Sequence, residues 1–495
     1  MEKLQKKEIL DIGLALEKAN FEAYLVGGCL RDLLIGKEPK DWDVATNAKP
    51  EELQKLFPES VYENQFGTVG VKTGSEDSAL KIVEITTYRL EGKYTDKRHP
   101  DEVRFAKTVE EDLSRRDFTI NAMALRCDTN IRMRANDTNE YGLVDPYGGK
   151  NDLKNKIIRA VGNPEERFQE DALRMMRAVR FMAQLGFTIE AETGEAIKKH
   201  SGLLEFISKE RVRDELSKLL MTENAADGIR KMQELGLLKQ ALPELTEGVE
   251  MGQNKHHIYS VFEHNVRSLD YAIKQNFPLH LRLASLLHDV GKPRAKRGDG
   301  PDSTFYGHQV VGEKMALEIL DRLHFSREDV EKIALLVREH MFVYDPETFT
   351  DAGARRLLRR VGKENIDDLF KLREADRIGS GVPKAQPYRL RHLKFRVEKV
   401  SQDPISAKML KVNGADVMRE ANIQPGPKIG FVLSILLEEV LDDPILNEKE
   451  KLIERIKALG QMEEKQLAEM AKFAKKSADE AQGRIEEEIK KKYFI

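Results

Sequence analysis

The 495-residue chain is poor in several things at once: two cysteines, one tryptophan, 7% aromatic residues and no excess of either charge. Cys29 and Cys127 cannot build a disulfide framework, so a reducing cytoplasm is the expected compartment. No apolar run is long enough to span a bilayer. The first twenty residues read as an amphipathic helix rather than a secretory leader. Low aromatic content beside 34% charged residues argues for a helix-rich, well-solvated chain and against a β-sandwich. Eighty-two Lys and Arg against 85 Asp and Glu leave a net charge of −3. A nucleic-acid binder with that balance must segregate its cations onto one face. No internal repeat is present, and nothing points to a membrane or a protein partner.

At 56.6 kDa the chain exceeds one hydrophobic core, and three or four domains are expected. Strand and helix signals mix only in residues 1–150, where the run 80–88 is β-branched. Helical periodicity dominates from 151 onward. Turn residues at Asp145 to Gly149, Pro243, 298–301 and Pro404 mark candidate boundaries. Residues 461–495 mix Lys and Glu with few apolar positions and read as a solvated helix or frayed tail.

The densest chemistry lies in residues 23–46. An apolar strand from Ala23 to Val26 runs into Gly27-Gly28 and then a helix starting near Cys29 and carrying Arg31. Glycines at a strand-to-helix junction let a ligand approach the backbone, and the helix N-terminus offers N–H groups to phosphate. Asp41 and Asp43 flank Trp42 in what reads as an edge of strand, so a period of two puts both carboxylates on one face. Paired carboxylates repel unless a cation lies between them, which suits Mg²⁺ and phosphoryl transfer. Alone, such a pair is usually a solvated turn; beside Gly27, Gly28, Arg31 and Asp32 it is a metal site. Trp42 between them is an expected fluorescence reporter.

Glu84, inside a β-branched strand, is a possible third carboxylate; an exposed strand face explains it equally well. Arg115, Arg116, Asp117 and Asn121 supply phosphate-gripping and ribose-contacting groups, although such a run on a helix is often a surface ion pair. Along 167–187, Asp171, Arg174, Arg177 and Arg180 recur every three residues beside an apolar stripe of Leu173, Met176 and Val179. A solvated helix face is the plain reading of such a stripe. Three arginines with one acid leave unpaired positive charge, which invites an anion, and an Asp/Arg pair suits the Watson–Crick edge of a base.

Farther on, His264, His288, Asp289, His308, His340 and Asp376 stand in helical sequence. Imidazoles and carboxylates projected inward from several helices suit a divalent transition metal. A lone histidine there would be a core residue, but His288-Asp289 before Val-Gly-Lys-Pro is harder to dismiss.

Together these segments resemble the class II tRNA nucleotidyltransferases, the CCA-adding enzymes and bacterial poly(A) polymerases of the polymerase β superfamily. The resemblance implies an α+β fold: a nucleotidyltransferase head (1–150), an all-helical neck (151–225), a body (226–400) and a tRNA-binding tail (401–495). It implies addition of CCA to tRNA from CTP and ATP, with Mg²⁺ on Asp41 and Asp43. It gives nucleotide contacts to Gly28, Arg31, Arg116, Arg177 and Arg180, the ribose to Asp117, and base selection to Asp171 and Arg174. Glu210 to Arg213 resembles a supporting helix motif, and 411–458 resembles the region that grips the tRNA elbow. Glu91 to Pro100 resembles the flexible loop needed for the final A, which favours complete CCA over partial addition or poly(A) synthesis. The histidine series resembles an HD-type phosphohydrolase, with His264, His288, Asp289 and Asp376 as core ligands and His308 and His340 completing a second site for Ni²⁺ or Mn²⁺. An HD hydrolase with a degenerate head is the alternative of a different class; the intact Asp41/Asp43 pair speaks against it.

Overall fold

The structure, a computed structural model, describes residues 6–64, 67–91, 103–127, 142–253, 258–298, 300–342, 344–401 and 406–472. The Glu91 to Pro100 loop from Gly92 onward, and the charged end from residue 473, lie outside the described residues. The chain divides into two compact units: Met1–Thr246 with Arg322–Phe325, and Glu247–Asp321 with Ser326–Ile495.

The first unit is built on a mixed sheet. Its strands are β1 (Tyr24–Val26), β2 (Asp43–Thr46), β3 (Ser60–Asn64), β4 (Thr68–Lys72), β5 (Ile82–Thr87), β8 (Ala124–Arg126) and β9 (Leu143–Val144), with β6 (Arg89–Glu91) and β7 (Val103–Phe105) forming a separate ribbon. The order across the sheet is β3-β4-β5-β2-β1-β8-β9. Only β2 and β5 run parallel; β1 pairs antiparallel with both β2 and β8. Helix Lys7–Lys18 buries Ile9, Ile12, Gly13 and Leu16, a helical stripe. A side chain at Gly13 would meet the Cys127 carbonyl oxygen at 2.1 Å, so that helix lies directly on backbone. Beyond residue 150 the only strands among the described residues are β10 (Ile157–Ile158) and β11 (Thr188–Ile189), a two-residue parallel pair among helices. The expected α+β order of sheet then helices is therefore found.

Two local expectations need correction. The helix after β1 begins at Gly27, not near Cys29. The Asp41-Trp-Asp43 segment is not at a strand edge: β2 begins at Asp43, Asp41 precedes it, and the strand is interior, between β5 and β1. Val44, Ala45 and Thr46 are all buried, so a four-residue strand of small and β-branched residues is flanked on both sides.

The second unit is helical. Val261–Lys274 packs against Leu279–Leu287 and Ile366–Gly379. Glycine sets the closeness of its crossings: a Cβ at Gly379 would stand 2.1 Å from Ser268 Oγ and 2.9 Å from the His264 carbonyl, and one at Gly291 2.2 Å from the His308 carbonyl. Gly430, inside helix Pro427–Asp442, has nothing within 4 Å of such a Cβ. Gly379→Ala should therefore lower stability by about 1–3 kcal/mol through overpacking. Gly430→Ala should raise it by about 0.5–1 kcal/mol through reduced backbone freedom. Thermal unfolding followed by circular dichroism separates the two, and shifts of the same sign would contradict the close-crossing argument.

Candidate functional site

In the first unit β1 delivers the chain to Gly27, whose φ of +70° is open to glycine at little cost. A Cβ there would stand 3.0 Å from Arg116 Nη1 and 3.4 Å from Asp43 Oδ2, which places guanidinium and carboxylate side by side over the junction. Cys29 Sγ donates to the Val26 carbonyl at 3.0 Å and lies 3.6 Å from the Asp43 carbonyl, tying the helix to the start of β2. Burial pushes the Cys29 thiol up to about 12, so it is a structural group rather than a nucleophile. Glu84 is directly opposite Asp43 in the β2/β5 register. Burial, then the charges of Asp41 and Glu84, raise Asp43 to about 6, with Arg116 pulling the other way. Asp41 and Glu84 are exposed. The three carboxylates do not gather as a set with ligand atoms within 4.8 Å of one another; only the histidine groups described below do so among the described residues. Two carboxylates with open positions suit Mg²⁺, which usually completes its shell with water and substrate phosphate.

Behind this pair lies a network of buried charges. Arg31 Nη1 donates to Asn121 Oδ1 at 2.9 Å, and its Nη2 is 2.7 Å from Asp32. Buried Asp112 accepts from Arg115 at 2.7 Å and Arg116 at 3.1 Å, while Arg116 Nε finds no acceptor among the described residues. Asp117 accepts from the Phe118 N–H, from Asn121 Nδ2 and from Arg177 at 2.6 Å. Against burial, which pushes the carboxyl up, Arg177 and Asn121 bring Asp117 down to about 2.

The expected stripe of Asp171, Arg174, Arg177 and Arg180 is only partly of that form. Asp171 ends helix Pro164–Glu170, and the three arginines follow on Leu173–Leu185, where Leu173, Met176 and Val179 are buried as expected. Asp171 and Arg174 are not paired with each other: Asp171 binds Arg211 at 2.7 Å, while Arg174 binds Glu170 at 2.7 Å and the Arg115 carbonyl at 2.9 Å. The supposed unpaired charge is matched as well, Arg177 by Asp117 and Arg180 by Glu215. The carboxylates Asp117 and Glu215, nearly out of reach of water, require such partners. Arg180 also covers the Phe181 ring at 4.0 Å, with Arg31 at 5.2 Å and Arg177 at 5.4 Å. Asp112, Glu215 and Phe181 were missed in the sequence; Asp112 reads there as an ordinary acidic first turn.

The second unit gathers His264, His288, Asp289, His308, His340 and Asp376 into one buried cluster. His264 Nε2 is 2.9 Å from His288 Nε2, 3.1 Å from Asp289 Oδ2 and 3.3 Å from Asp376 Oδ1. His308 Nε2 is 3.2 Å from Asp289 Oδ1 and 3.3 Å from His340 Nε2. Asp289 thus faces both triads, His264/His288/Asp376 and Asp289/His308/His340. Nδ1 of His288, His308 and His340 lies 2.9, 2.8 and 2.7 Å from the carbonyls of Ser285, Phe305 and Val337. Donation to those carbonyls fixes the tautomer and turns each Nε2 lone pair inward. Without a cation, burial opposes charge on His288 but Asp289 and Asp376 raise it to about 10, whereas burial lowers His340 to about 4. Such a grouping of imidazole nitrogens and carboxylates could hold a divalent cation.

Comparison with known proteins follows the same division. Residues 23–159 match the family described as Poly A polymerase head domain, 186–248 the probable RNA and SrmB-binding site of polymerase A, and 310–456 the putative tRNA nucleotidyltransferase domain 2. A CCA-adding enzyme of Ligilactobacillus salivarius is 35% identical over 93% of this chain and 97% of its own length. The chain belongs to the CCA-adding enzyme family of tRNA nucleotidyltransferases.

Within that family an A-adding tRNA nucleotidyltransferase of Deinococcus radiodurans is also 35% identical, over 84% of this chain and 91% of its own. The crystal structure of the Bacillus stearothermophilus CCA-adding enzyme in complex with CTP is 28% identical, with a TM-score of 0.63 over 91% of this chain and 96% of that one. A polymerase head with a mixed sheet followed by a largely helical body is the shared fold. The three matched segments leave out 249–309, which holds His264, His288, Asp289 and His308.

The ion pairs of the family head make a prediction about acid stability. Because Asp117 titrates below its ordinary range in the folded state, its contribution is complete at neutral pH and is lost as pH falls from about 4 toward 2. Asp117→Asn should cost about 2 kcal/mol at pH 7, allowing for the partial exposure of Arg177. The gap from the parent should narrow on acidification. Trp42 is buried in this unit, so its fluorescence in urea titrations reads the effect; a pH-independent gap would contradict the pairing.

Proposed function

We propose that this chain adds C, C and A in turn to the 3′ end of tRNA from CTP and ATP, releasing pyrophosphate, in the cytoplasm. The observation that carries the reading is the juxtaposition of Asp43, Arg116 and the Gly27 junction. It is supported by 35% identity to a CCA-adding enzyme along almost its whole length. Residues 1–150 would serve as head, 151–225 as neck, 226–400 as body and 401–495 as tRNA-binding tail. Asp41 and Asp43 would hold Mg²⁺, with Glu84 opposite Asp43 as an added carboxylate. When bound, the metal supplies charge neutralisation at the attacking and leaving oxygens.

In the reaction the tRNA 3′-hydroxyl oxygen, giving up its proton to solvent, bonds to the α-phosphorus as the bridging bond to pyrophosphate breaks. Gly28 and the helix N-terminus behind Gly27 receive triphosphate oxygens on backbone N–H groups. Arg31 and Arg116 add guanidinium donors, and Arg116 Nε has no other acceptor among the described residues. Asp117 and Asn121 face the ribose. Asp171 and Arg174, each fixed by its own neighbour, present an acceptor and donors to a base, and Arg177 and Arg180 hold that helix in register through Asp117 and Glu215. The A-adding relative keeps partial addition as the rival, followed by poly(A) synthesis. A tRNA lacking its last three nucleotides, given CTP and ATP, should lengthen by C, C and A and stop. Addition of A alone to a CC-ended tRNA would establish partial addition, and long ATP-only tails a poly(A) polymerase. Asp41→Ala/Asp43→Ala should abolish extension.

The histidine cluster favours a second activity in the same chain. His264, His288, Asp289, His308, His340 and Asp376 fit an HD-type centre for Ni²⁺ or Mn²⁺, since fixed tautomers direct nitrogen lone pairs and two carboxylates to one place. Such a metal activates water for attack on phosphate esters, here 2′,3′-cyclic phosphates or 2′-nucleotides. Purified chain with added Ni²⁺ or Mn²⁺ should hydrolyse these substrates, and His288→Ala should lose most of that rate while still extending tRNA. Equal, negligible hydrolysis by both proteins would leave the transferase as the sole activity.

A further inference from the structure

Helix Tyr388–Lys399 of the second unit has two sharply different faces. Leu390, Leu393, Val397 and the following Val400 are buried at helical spacing and dock the helix on its unit. The opposite face carries Tyr388, His392 and Phe395 at i, i+4 and i+7. Tyr388 is 63% and Phe395 62% exposed. Single exposed apolar residues are common and need no explanation. Here, among the described residues, two exposed aromatic rings share one helix face, which no other helix shows.

His392 joins them into a ladder. Its ring centroid is 5.8 Å from that of Tyr388 and 6.4 Å from that of Phe395. Its Nδ1 is held by the Tyr344 hydroxyl, and Tyr344 packs edge-on against Phe349 at 4.9 Å. Phe349 in turn borders an open cavity of about 530 Å³ that Arg356 and Arg396 also line. The middle ring of the ladder, His392, is therefore braced from beneath.

The charge on this helix is mostly of one sign: Arg389, Arg391, Lys394, Arg396 and Lys399 against Glu398 alone. Lys394 is committed to Glu374, and Arg396 and Lys399 to Asp351. Arg391, exposed between the two outer rings, has no acidic partner among the described residues. Aromatic faces flanked by an uncommitted guanidinium match a polyanion that also offers flat bases: the rings stack, and the cation takes a phosphate. A protein partner of acidic character would match the cation but not the row of open rings.

We propose that this face is an RNA-docking surface, on which an unpaired nucleobase of the tRNA stacks on Phe395 and Tyr388 while Arg391 contacts the adjoining phosphate. The proposal rests on the reading of the chain as a tRNA nucleotidyltransferase. It adds a contact on the helix that shortly precedes residues 411–458, the stretch expected to grip the elbow.

The test is equilibrium binding of full-length protein to tRNA, read separately from nucleotide addition. Phe395→Ala and Tyr388→Ala should each raise the Kd for tRNA roughly five- to hundred-fold, the usual range for loss of one base stack. Phe395→Trp should restore binding. In addition assays the loss should fall on KM for tRNA, with kcat at saturating tRNA and KM for CTP unchanged. Arg391→Gln should flatten the dependence of log K on log salt by about 0.7–0.9, one phosphate contact, while Phe395→Ala leaves that slope alone. Binding by both aromatic variants equal to the parent overturns the proposal, whether or not the chain extends tRNA. So does a parent dimer that Phe395→Ala dissociates without change in tRNA affinity, because a second copy would then be the occupant. A parent that binds tRNA through these residues yet adds no nucleotide overturns the nucleotidyltransferase reading and leaves the docking surface standing.

Discussion

A charge taken out of water must meet an opposite one, and much of the first unit is arranged around that requirement. Asp112 and Asp117 are almost fully buried, and so are the Glu215 and Arg31 side chains. Desolvation of each ion costs several kcal/mol and is repaid only by close, well-oriented partners. The partners come from different elements: Asp117 lies beside the 119–121 turn, Arg177 and Arg180 on Leu173–Leu185, and Glu215 on Lys209–Leu220. Such pairs add little net stability over an apolar core of the same shape. They do fix which helix turn faces the Gly27 junction, since any slip strands a buried charge. Phe181, with three guanidinium groups around it and Phe118 edge-on at 5.7 Å, locks the same register.

The second unit solves the opposite problem, bringing like groups together. Four imidazoles and two carboxylates converge because helix backbones cross closely. Gly379 permits Ile366–Gly379 to lie on the His264 carbonyl, and three residues earlier Asp376 then comes within 3.3 Å of His264 Nε2. Gly291 permits the segment after Asp289 to lie on the His308 carbonyl, and Asp289 Oδ1 comes within 3.2 Å of His308 Nε2. Local carbonyls three residues back then orient three of the four imidazoles. Chain spacing alone makes that last step nearly automatic, because each of these histidines stands at or beside a helix end where the i−3 carbonyl is within reach.

What could be read from the sequence follows from how far apart the interacting residues are. The strand-to-helix glycines, the Leu173/Met176/Val179 stripe and the histidine series are local patterns, and period or residue type reveals them. The interior position of β2 could not be read, because a four-residue strand owes its place to β5, some forty positions later in the chain. The partners of Arg177 and Arg180 were equally hidden, at separations of 60 and 35 residues. Counting one acid among three arginines suggested spare charge; tertiary structure supplied the acids. The same caution holds for Asp171 and Arg174, adjacent on paper yet turned to different partners by a helix break at Asp171.

Near-neutral composition constrains how such a chain can hold RNA. With 82 cations against 85 anions, counterion release can contribute only where cations are segregated onto one face. Even on helix Tyr388–Lys399, three of five cations are tied to Glu374 and Asp351. What remains is shape, stacking and a few well-placed guanidinium groups. Stacking depends weakly on salt and tolerates any base, so it suits a surface that must accept many tRNAs of different sequence. An arginine committed to a carboxylate is lost to phosphate but gained as a brace, and here Arg396 and Lys399 hold the helix while Phe395 and Tyr388 stay open. The aromatic face fits that charge balance: where cations are committed to internal pairing, the bases offer a second route to the polyanion.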